Sequence, residues 1–459
     1  MKLQVEVPPA YLLERKYILS VMLEDFLGLD ITVKPTSRSN TRLSLAERDL
    51  ILEDGLLATS DAQWLTPTSL PSQPLEVWDG SDLVDDLQNV PVLYGKRLPN
   101  GTFADIKPDR IHLGLDIFGA AFFMLTRYEE VAKPERDEHD RFPATASLAY
   151  QENFLQRPVV NEYLELLWAC MKLLWPGLER TPRAYRLQVS HDVDAPLLSL
   201  PRTAKRAARS LGGDLLKRRN AKLALGRTLS YLGSHHYDPA NTFDLLMSTS
   251  EEAGIKSAFY FITDHSAGEI DGHYSLEMPF VQDLLKEIHE RGHEIGLHPS
   301  YNTFDDSEQT RLEFEKLQAA LSDLGISQAT FGGRQHYLRW QAPTTWQTWA
   351  DAGLDYDSTV GYADQVGFRA GTCYAYPVFN LRTRQALKLI ERPLLVMDCS
   401  LFDRRYMGLS PAEGLDTVRD LHRHCLRHQG DFTLLWHNSY FDTAWQARVY
   451  KNLIALLAS

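Results

Sequence analysis

From about residue 185 onward the apolar positions fall into short runs, each followed by a stretch with the three-to-four spacing of an amphipathic helix. The runs at 185–190, 257–262, 294–297, 330–333, 354–357, 394–398 and 432–436 predict strands. The stretches at 242–253, 279–291, 307–324, 344–352 and 411–428 predict helices. This βα alternation spans roughly 270 residues, close to barrel size, and fits either a closed barrel or an open doubly wound sheet. Before it, the pattern is mixed. Helical spacing appears near 11–27, 115–131 and 159–174, with strand candidates at 49–52 and 91–94 broken by turns such as Pro99-Asn100-Gly101. Pro176-Gly177 and Thr181-Pro182 punctuate the change. The expected organisation is a mixed α/β N-terminal domain at 1–180, of unassigned role, and a βα domain at 181–459 with a basic helical insertion near 197–236.

Composition narrows this only slightly. The 459 residues carry 48 Lys and Arg against 61 Asp and Glu, a formal charge of -13, which gives no global attraction for nucleic acid. Cys170, Cys373, Cys399 and Cys425 form no CxxC pair, so neither a zinc ribbon nor a disulfide framework is visible. The first 30 residues lack the basic-apolar-small pattern of a signal peptide, and no uncharged apolar run is long enough to span a bilayer. The expectation is a cytoplasmic protein.

In both βα architectures sites form at the C-terminal ends of the strands. There the predicted strands run into His191-Asp192-Val193-Asp194, His298-Pro299-Ser300-Tyr301-Asn302, Arg334-Gln335-His336, Asp398 and His437-Asn438. Asp192 and Asp194, two apart in extended chain, face one cavity together, and like charges so close need a cation or an Arg between them. They also read as a pair capping a turn before Pro196. His293 and His298 superficially resemble a zinc-protease pair, but five residues on a helix puts them about 140° apart, so that reading fails. His298 and Asn302, four apart, share a helical face if Pro299 opens a helix. His437 reads as a general acid or as a satisfied core histidine. Arg334, Tyr337 and Arg339 mix charge with aromatics, and Arg369 sits between Gly367 and Gly371. The stretch 201–227 holds Arg202, Lys205, Arg206, Arg209, Lys217, Arg218, Arg219, Lys222 and Arg227 against Asp214 alone. It reads as an arm for anionic lipid or a phosphorylated glycan carrier, or as a solvated helix.

The segment from Arg186 to Asn438 resembles the polysaccharide deacetylases of the NodB-homology group, carbohydrate esterase family 4. Ser190-His191-Asp192-Val193-Asp194, Gly292-His293-Glu294-Ile295-Gly296-Leu297-His298, Arg334 onward and Leu434-Leu435-Trp436-His437-Asn438 match its motifs in order. Asp116-Ile117-Phe118-Gly119 and Arg127-Tyr128-Glu129-Glu130 resemble the region found before such domains. The resemblance implies a distorted (β/α) barrel of seven or eight strands, a divalent metal, commonly zinc, and hydrolysis of an N-acyl group from an amino sugar. It implies Asp192 as base, Asp194 and His298 as metal ligands, His437 as general acid, and Arg334 as the residue orienting the base. The family ends its second motif with another His where this chain has Asn302, so Asn302 itself, His191 or His336 is the candidate third ligand.

The expected function is therefore a metal-dependent hydrolase removing an N-acyl group, acetyl by expectation, from an amino sugar of a cell-surface polysaccharide or its precursor. Zinc is the expected ion, and Arg339, Arg369 and Tyr337 are candidates for substrate contact. Asp398 is the candidate to hold His437 in its charged form. The alternative is a degenerate barrel that binds glycans or scaffolds polysaccharide assembly. The expected partners are the acylated glycan, no nucleic acid, and an anionic membrane touched through the basic insertion.

Overall fold

The structure is a computed structural model that describes residues 2–200, 204–217, 219–441 and 443–459. Pro201, Arg202 and Arg218 of the basic stretch, and the side chains of Arg206 and Lys217, lie outside the described residues.

Two sheets carry most of the strands. The N-terminal sheet is built from β1 (Lys2–Val7), β2 (Asp30–Pro35), β3 (Thr41–Leu45) and β4 (Arg48–Leu52). A short hairpin, β5 (Glu76–Trp78) with β6 (Val90–Val92), intervenes. Strands β7 (Ala104–Ile106) and β8 (Arg110–Leu113) then complete the sheet in the order β2-β1-β3-β4-β8-β7. In β1 the period of two is plain, with Leu3, Val5 and Val7 buried. Helix Ile117–Leu125, buried at every position, is capped by Asp116, whose side chain accepts from Gly119 N at 2.7 Å.

The second sheet comprises β9 (Arg186–Val193), β10 (Ser257–Phe261), β11 (Glu294–Leu297), β12 (Gly332–Gly333), β13 (Tyr356–Asp357), β14 (Tyr376–Asn380), β15 (Gln385–Glu391), β16 (Val396–Met397) and β17 (Asp431–Leu435). Its order is β14-β15-β13-β12-β11-β10-β9-β17-β16, with every pairing parallel except that of β14 with β15. The mixed α/β class with a parallel sheet is as expected. A closed barrel is not: among the described residues β14 and β16 form the two edges and do not pair. Two scattered backbone hydrogen bonds, Leu394 N to Val360 O at 3.2 Å and Gly367 N to Leu395 O at 3.0 Å, link the chain after β13 to the chain before β16 without forming a ladder. Strands of two residues are too short to build a ladder across that seam.

Strand β9 runs three residues beyond its predicted end, so His191 and Asp192 lie within it. Helices Phe243–Glu252, Pro279–Glu290, Ser307–Asp323, Thr344–Ala352 and Pro411–Arg427 follow the predicted stretches to within a residue.

The two sheets share one apolar core, since Leu3, Val5 and Phe122 belong to the same cluster of buried side chains as Phe259, Ile295 and Phe432. Polar ties cross the same contact. Tyr17 donates to Pro377 O at 2.8 Å, and Asn161 Oδ1 accepts from Thr372 and from Cys373 N. Glu130 takes a bidentate pair of hydrogen bonds from Arg369.

Candidate active site

The C-terminal ends of β9, β11, β12, β16 and β17 surround a cavity of about 390 Å³. Asp192, Asp194, His298, His336, Tyr337 and His437 line it. Asp192 is the next-to-last residue of β9 and Asp194 follows its end, so the strand's alternation turns both carboxylates to the same side.

At the centre stand Asp194, His298 and His336. Nε2 of His298 lies 3.2 Å and Nε2 of His336 3.7 Å from Oδ1 of Asp194. That oxygen is buried and no donor meets it in hydrogen-bond geometry. Each ring is held by its far nitrogen: His298 Nδ1 lies 2.6 Å from Arg334 O, and His336 Nδ1 lies 2.9 Å from Oδ1 of buried Asp271. With Nδ1 donating to an acceptor, each Nε2 is left as a lone pair aimed at the carboxylate, the usual outer-shell arrangement of a metal-binding histidine. The three ligand atoms lie within 4.8 Å of one another. Two imidazoles and one carboxylate form a donor set that suits zinc or a similar divalent ion. Burial pushes the Asp194 carboxyl up, but when His298, His336 and His437 carry their second protons their hydrogen bonding and charge outweigh it and hold the group well below the usual carboxylate range, as a cation in their midst would.

Two supported side chains flank this cluster. Asp192 Oδ1 accepts from Arg334 at 2.8 Å, while its Oδ2 lies 3.8 Å from His298 Nε2. Arg334, fully buried, is fixed by donation to Ser358 O at 2.8 Å and to Ser358 Oγ at 3.1 Å. Opposite, His437 Nδ1 lies 2.8 Å from Asp398 Oδ1, and its Nε2 lies 3.8 Å from Asp194 Oδ2. Burial lowers the His437 pKa, but the Asp398 carboxylate more than offsets this and raises it well above the ordinary imidazole value. Asp398, Cys399 and His437 also sit close enough to hold an ion. There, however, the carboxylate is engaged by Cys399 N, His437 N and the His437 ring.

Four sequence candidates sit away from the cluster. Asn302 is not beside His298, because the chain turns through a short 3-10 segment, Tyr301–Asp305, that leaves His298 outside it and removes the expected helical face. The Asn302 amide instead donates to Ser266 O at 3.0 Å and accepts from Arg339 at 3.0 Å. Arg339 is spent on Asn302, Tyr301 O and Asp140, its guanidinium packed over Tyr301 and Phe304, and it does not line the cavity. Arg369 is buried against Glu130, far from solvent, because the core contact between the two sheets needs a counter-charge there. His191 is fully buried with Nδ1 2.7 Å from Trp436 O, and burial takes its pKa down to about 4, so it is a core histidine. His336, by contrast, occupies the third position of the cluster.

Other groups at the site carry no local signal in the sequence. Asp271 anchors His336 from 65 residues away. Glu138, His139 and Arg141, from the N-terminal region, and Arg405 and Tyr406 complete the cavity wall. Arg141, held by Asp137 at 2.8 Å, donates to Tyr337 O at 2.9 Å, and the His139 ring packs on Tyr337 and Tyr301. Tyr337 itself has a left-handed backbone (φ 62), a conformation that costs a non-glycine residue energy and is common where a site needs it.

A family model described as a family of unknown function, DUF7033, matches residues 3–176. No curated protein matches. Among solved structures, a Mycobacterium smegmatis chain assigned as a polysaccharide deacetylase is similar at 16% identity and a TM-score of 0.40, covering 61% of this chain and 85% of that one. Puue allantoinase is similar at 11% identity and a TM-score of 0.37, with the same coverage of 61% and 85%. A Pseudomonas aeruginosa PAO1 chain assigned as a polysaccharide deacetylase is similar at 12% identity and a TM-score of 0.35, covering 67% of this chain and 90% of that one.

Proposed function

We propose that this chain is a metal-dependent hydrolase that removes an N-acyl group from an amino sugar of a cell-surface polysaccharide or its precursor. One observation carries the reading: a single cavity brings the Asp194, His298 and His336 cluster between an arginine-held carboxylate and a carboxylate-held imidazole.

Amide hydrolysis needs stabilisation of a tetrahedral oxyanion, a base for the attacking water and an acid for the departing amine. A divalent ion on Asp194, His298 and His336 would supply the Lewis acid that polarises the amide carbonyl. Asp192 takes a proton from the attacking water. Its Oδ1 is tied to Arg334, which fixes the carboxylate's orientation and leaves Oδ2 turned towards the cluster. His437 gives its Nε2 proton to the amine nitrogen as the C–N bond breaks, and Asp398 on Nδ1 keeps the ring oriented and charged. Water and amide are thereby converted into a carboxylic acid and a free amine. Tyr337, half-exposed on the cavity wall among the rings of His139 and Tyr301, offers an apolar face to a sugar ring.

The test is release of free amine from a panel of N-acylated amino-sugar oligomers by the metal-loaded chain. General acid–base groups contribute about 100- to 10,000-fold, so Asp192→Asn and His437→Ala each lower kcat by about that factor with the melting temperature preserved. Full activity in both variants, or no free amine from any member of the panel, overturns the mechanism and leaves the glycan-binding reading.

A further inference from the structure

The basic insertion exposes large apolar side chains and cations together. Helix Ala221–Tyr231 has two unlike sides. Leu223, Ala224, Arg227 and Ser230 form the buried one, where Arg227 is paired with buried Asp214 at 2.8 Å and so is withdrawn from the surface. At about 100° per residue, Lys222, Leu225, Leu229 and Leu232 fall on the opposite side. There Leu225 is 60% and Leu232 78% exposed. The segment entering the helix adds Leu215 and Leu216, the latter 80% exposed, and exposed Arg219. The preceding helix, Ala204–Gly212, exposes Lys205 and Arg209.

Whatever covers this face must provide apolar volume and negative charge at once. We propose that it docks on the surface of an anionic lipid bilayer, with the leucines entering the acyl boundary and the cations meeting headgroup phosphates. Charge complementarity favours this occupant. A second copy of the arm would bring like charges together, and a nucleic acid would use the cations but leave the leucines in water. The arm is net positive in a chain of net charge -13, so the remainder carries a larger net negative charge and gives an anionic bilayer less to attract it than this face does. The arm also stands beside the catalytic rim: Lys205 and Arg209 form one side of a groove whose other side includes His265, His273 and Tyr274, from the loop that carries Asp271. Docking in this way would hold the cavity close to the headgroups. The proposal does not depend on the reaction catalysed there.

Flotation of the full chain with phosphatidylcholine vesicles, with and without phosphatidylglycerol, tests it. Binding is expected only with phosphatidylglycerol and is lost as salt rises. The triple variant Lys205→Glu, Arg209→Glu, Lys222→Glu should weaken it by about a hundredfold or more, and Leu225→Ser with Leu232→Ser by about tenfold or more. Unchanged thermal melting of both variants establishes that they fold. Equal binding to neutral vesicles, no binding to anionic vesicles at low salt, or wild-type binding by the leucine variant overturns the proposal. So does a dimer, seen by light scattering, that the leucine variant disperses.

Discussion

At the scale of single residues, the site is organised by what each side chain's second polar atom does. His298 and His336 aim Nε2 at Asp194 because Arg334 O and Asp271 engage their other nitrogens. Asp192 and His437 are fixed in the same manner by Arg334 and Asp398. The residues at or just beyond strand ends, Asp192, Asp194, His298, Arg334 and His437, were legible in the sequence because strand ends mark the rim. Asp271 was not, since its partner is distant in the chain and its own loop has no periodic pattern. Asn302 was misread through an assumed α-helical turn that the chain does not make. Arg141 belongs to the same class of unreadable contact: it crosses from the N-terminal region to hold the backbone of Tyr337. Hydrogen bonds from charged groups contribute about 1.5–3 kcal/mol, so Arg141→Ala should raise KM by about tenfold or more while kcat falls much less. Steady-state kinetics on the panel of acylated sugars decides this, and unchanged KM would reduce the residue to a structural tie.

At the scale of elements, buried parallel strands announce themselves as continuous apolar runs, and the predicted seven overlap β9, β10, β11, β12, β13, β16 and β17, although β12, β13 and β16 are only two residues long. Strands β14 and β15 were missed. β15 reads Gln385-Ala386-Leu387-Lys388-Leu389-Ile390-Glu391, with Lys388 and Gln385 facing water, and lacks such a run. The helix Pro411–Arg427 carries the capping box Ser410 with Glu413, a signal visible in sequence, but its far end is set by burial. His428 closes that end, its carbonyl accepting from Tyr374 at 2.6 Å. Burial, with Arg427 and His424 nearby, lowers its pKa from 6.5 to about 3. The folded chain therefore keeps this ring neutral at pH values where the unfolded chain protonates it. Stability from this residue is complete above the unfolded value and is lost as pH falls from about 6.5 towards 3. Denaturant titrations at pH 7 and pH 5 should show wild type losing about 2 kcal/mol more than His428→Gln. Equal losses would mean that the ring is protonated in the fold.

At the scale of the molecule, the N-terminal region is part of the working structure. Its sheet shares the core of the larger sheet, and Glu138, His139 and Arg141 reach the cavity wall. None of this was legible, because contacts between residues more than 190 apart leave no pattern along the chain. The buried Glu130, between Arg127 and Arg369, marks the contact, and removing one partner of such a group costs about 3–5 kcal/mol. Glu130→Ala should accordingly lower the melting temperature of the whole chain in one transition. Calorimetry resolving two transitions, with only one shifted, would mean that the halves melt independently. In the proposed reading Asp194, His298 and His336 together hold a divalent ion, with His336, rather than Asn302 or His191, as the third ligand. Elemental analysis of purified chains tests it most directly. The expected result is one divalent ion per chain in wild type and in Asn302→Ala, and loss of that ion in His336→Ala and Asp194→Ala with the fold retained. Stoichiometric metal in His336→Ala, or its loss in Asn302→Ala, would contradict it.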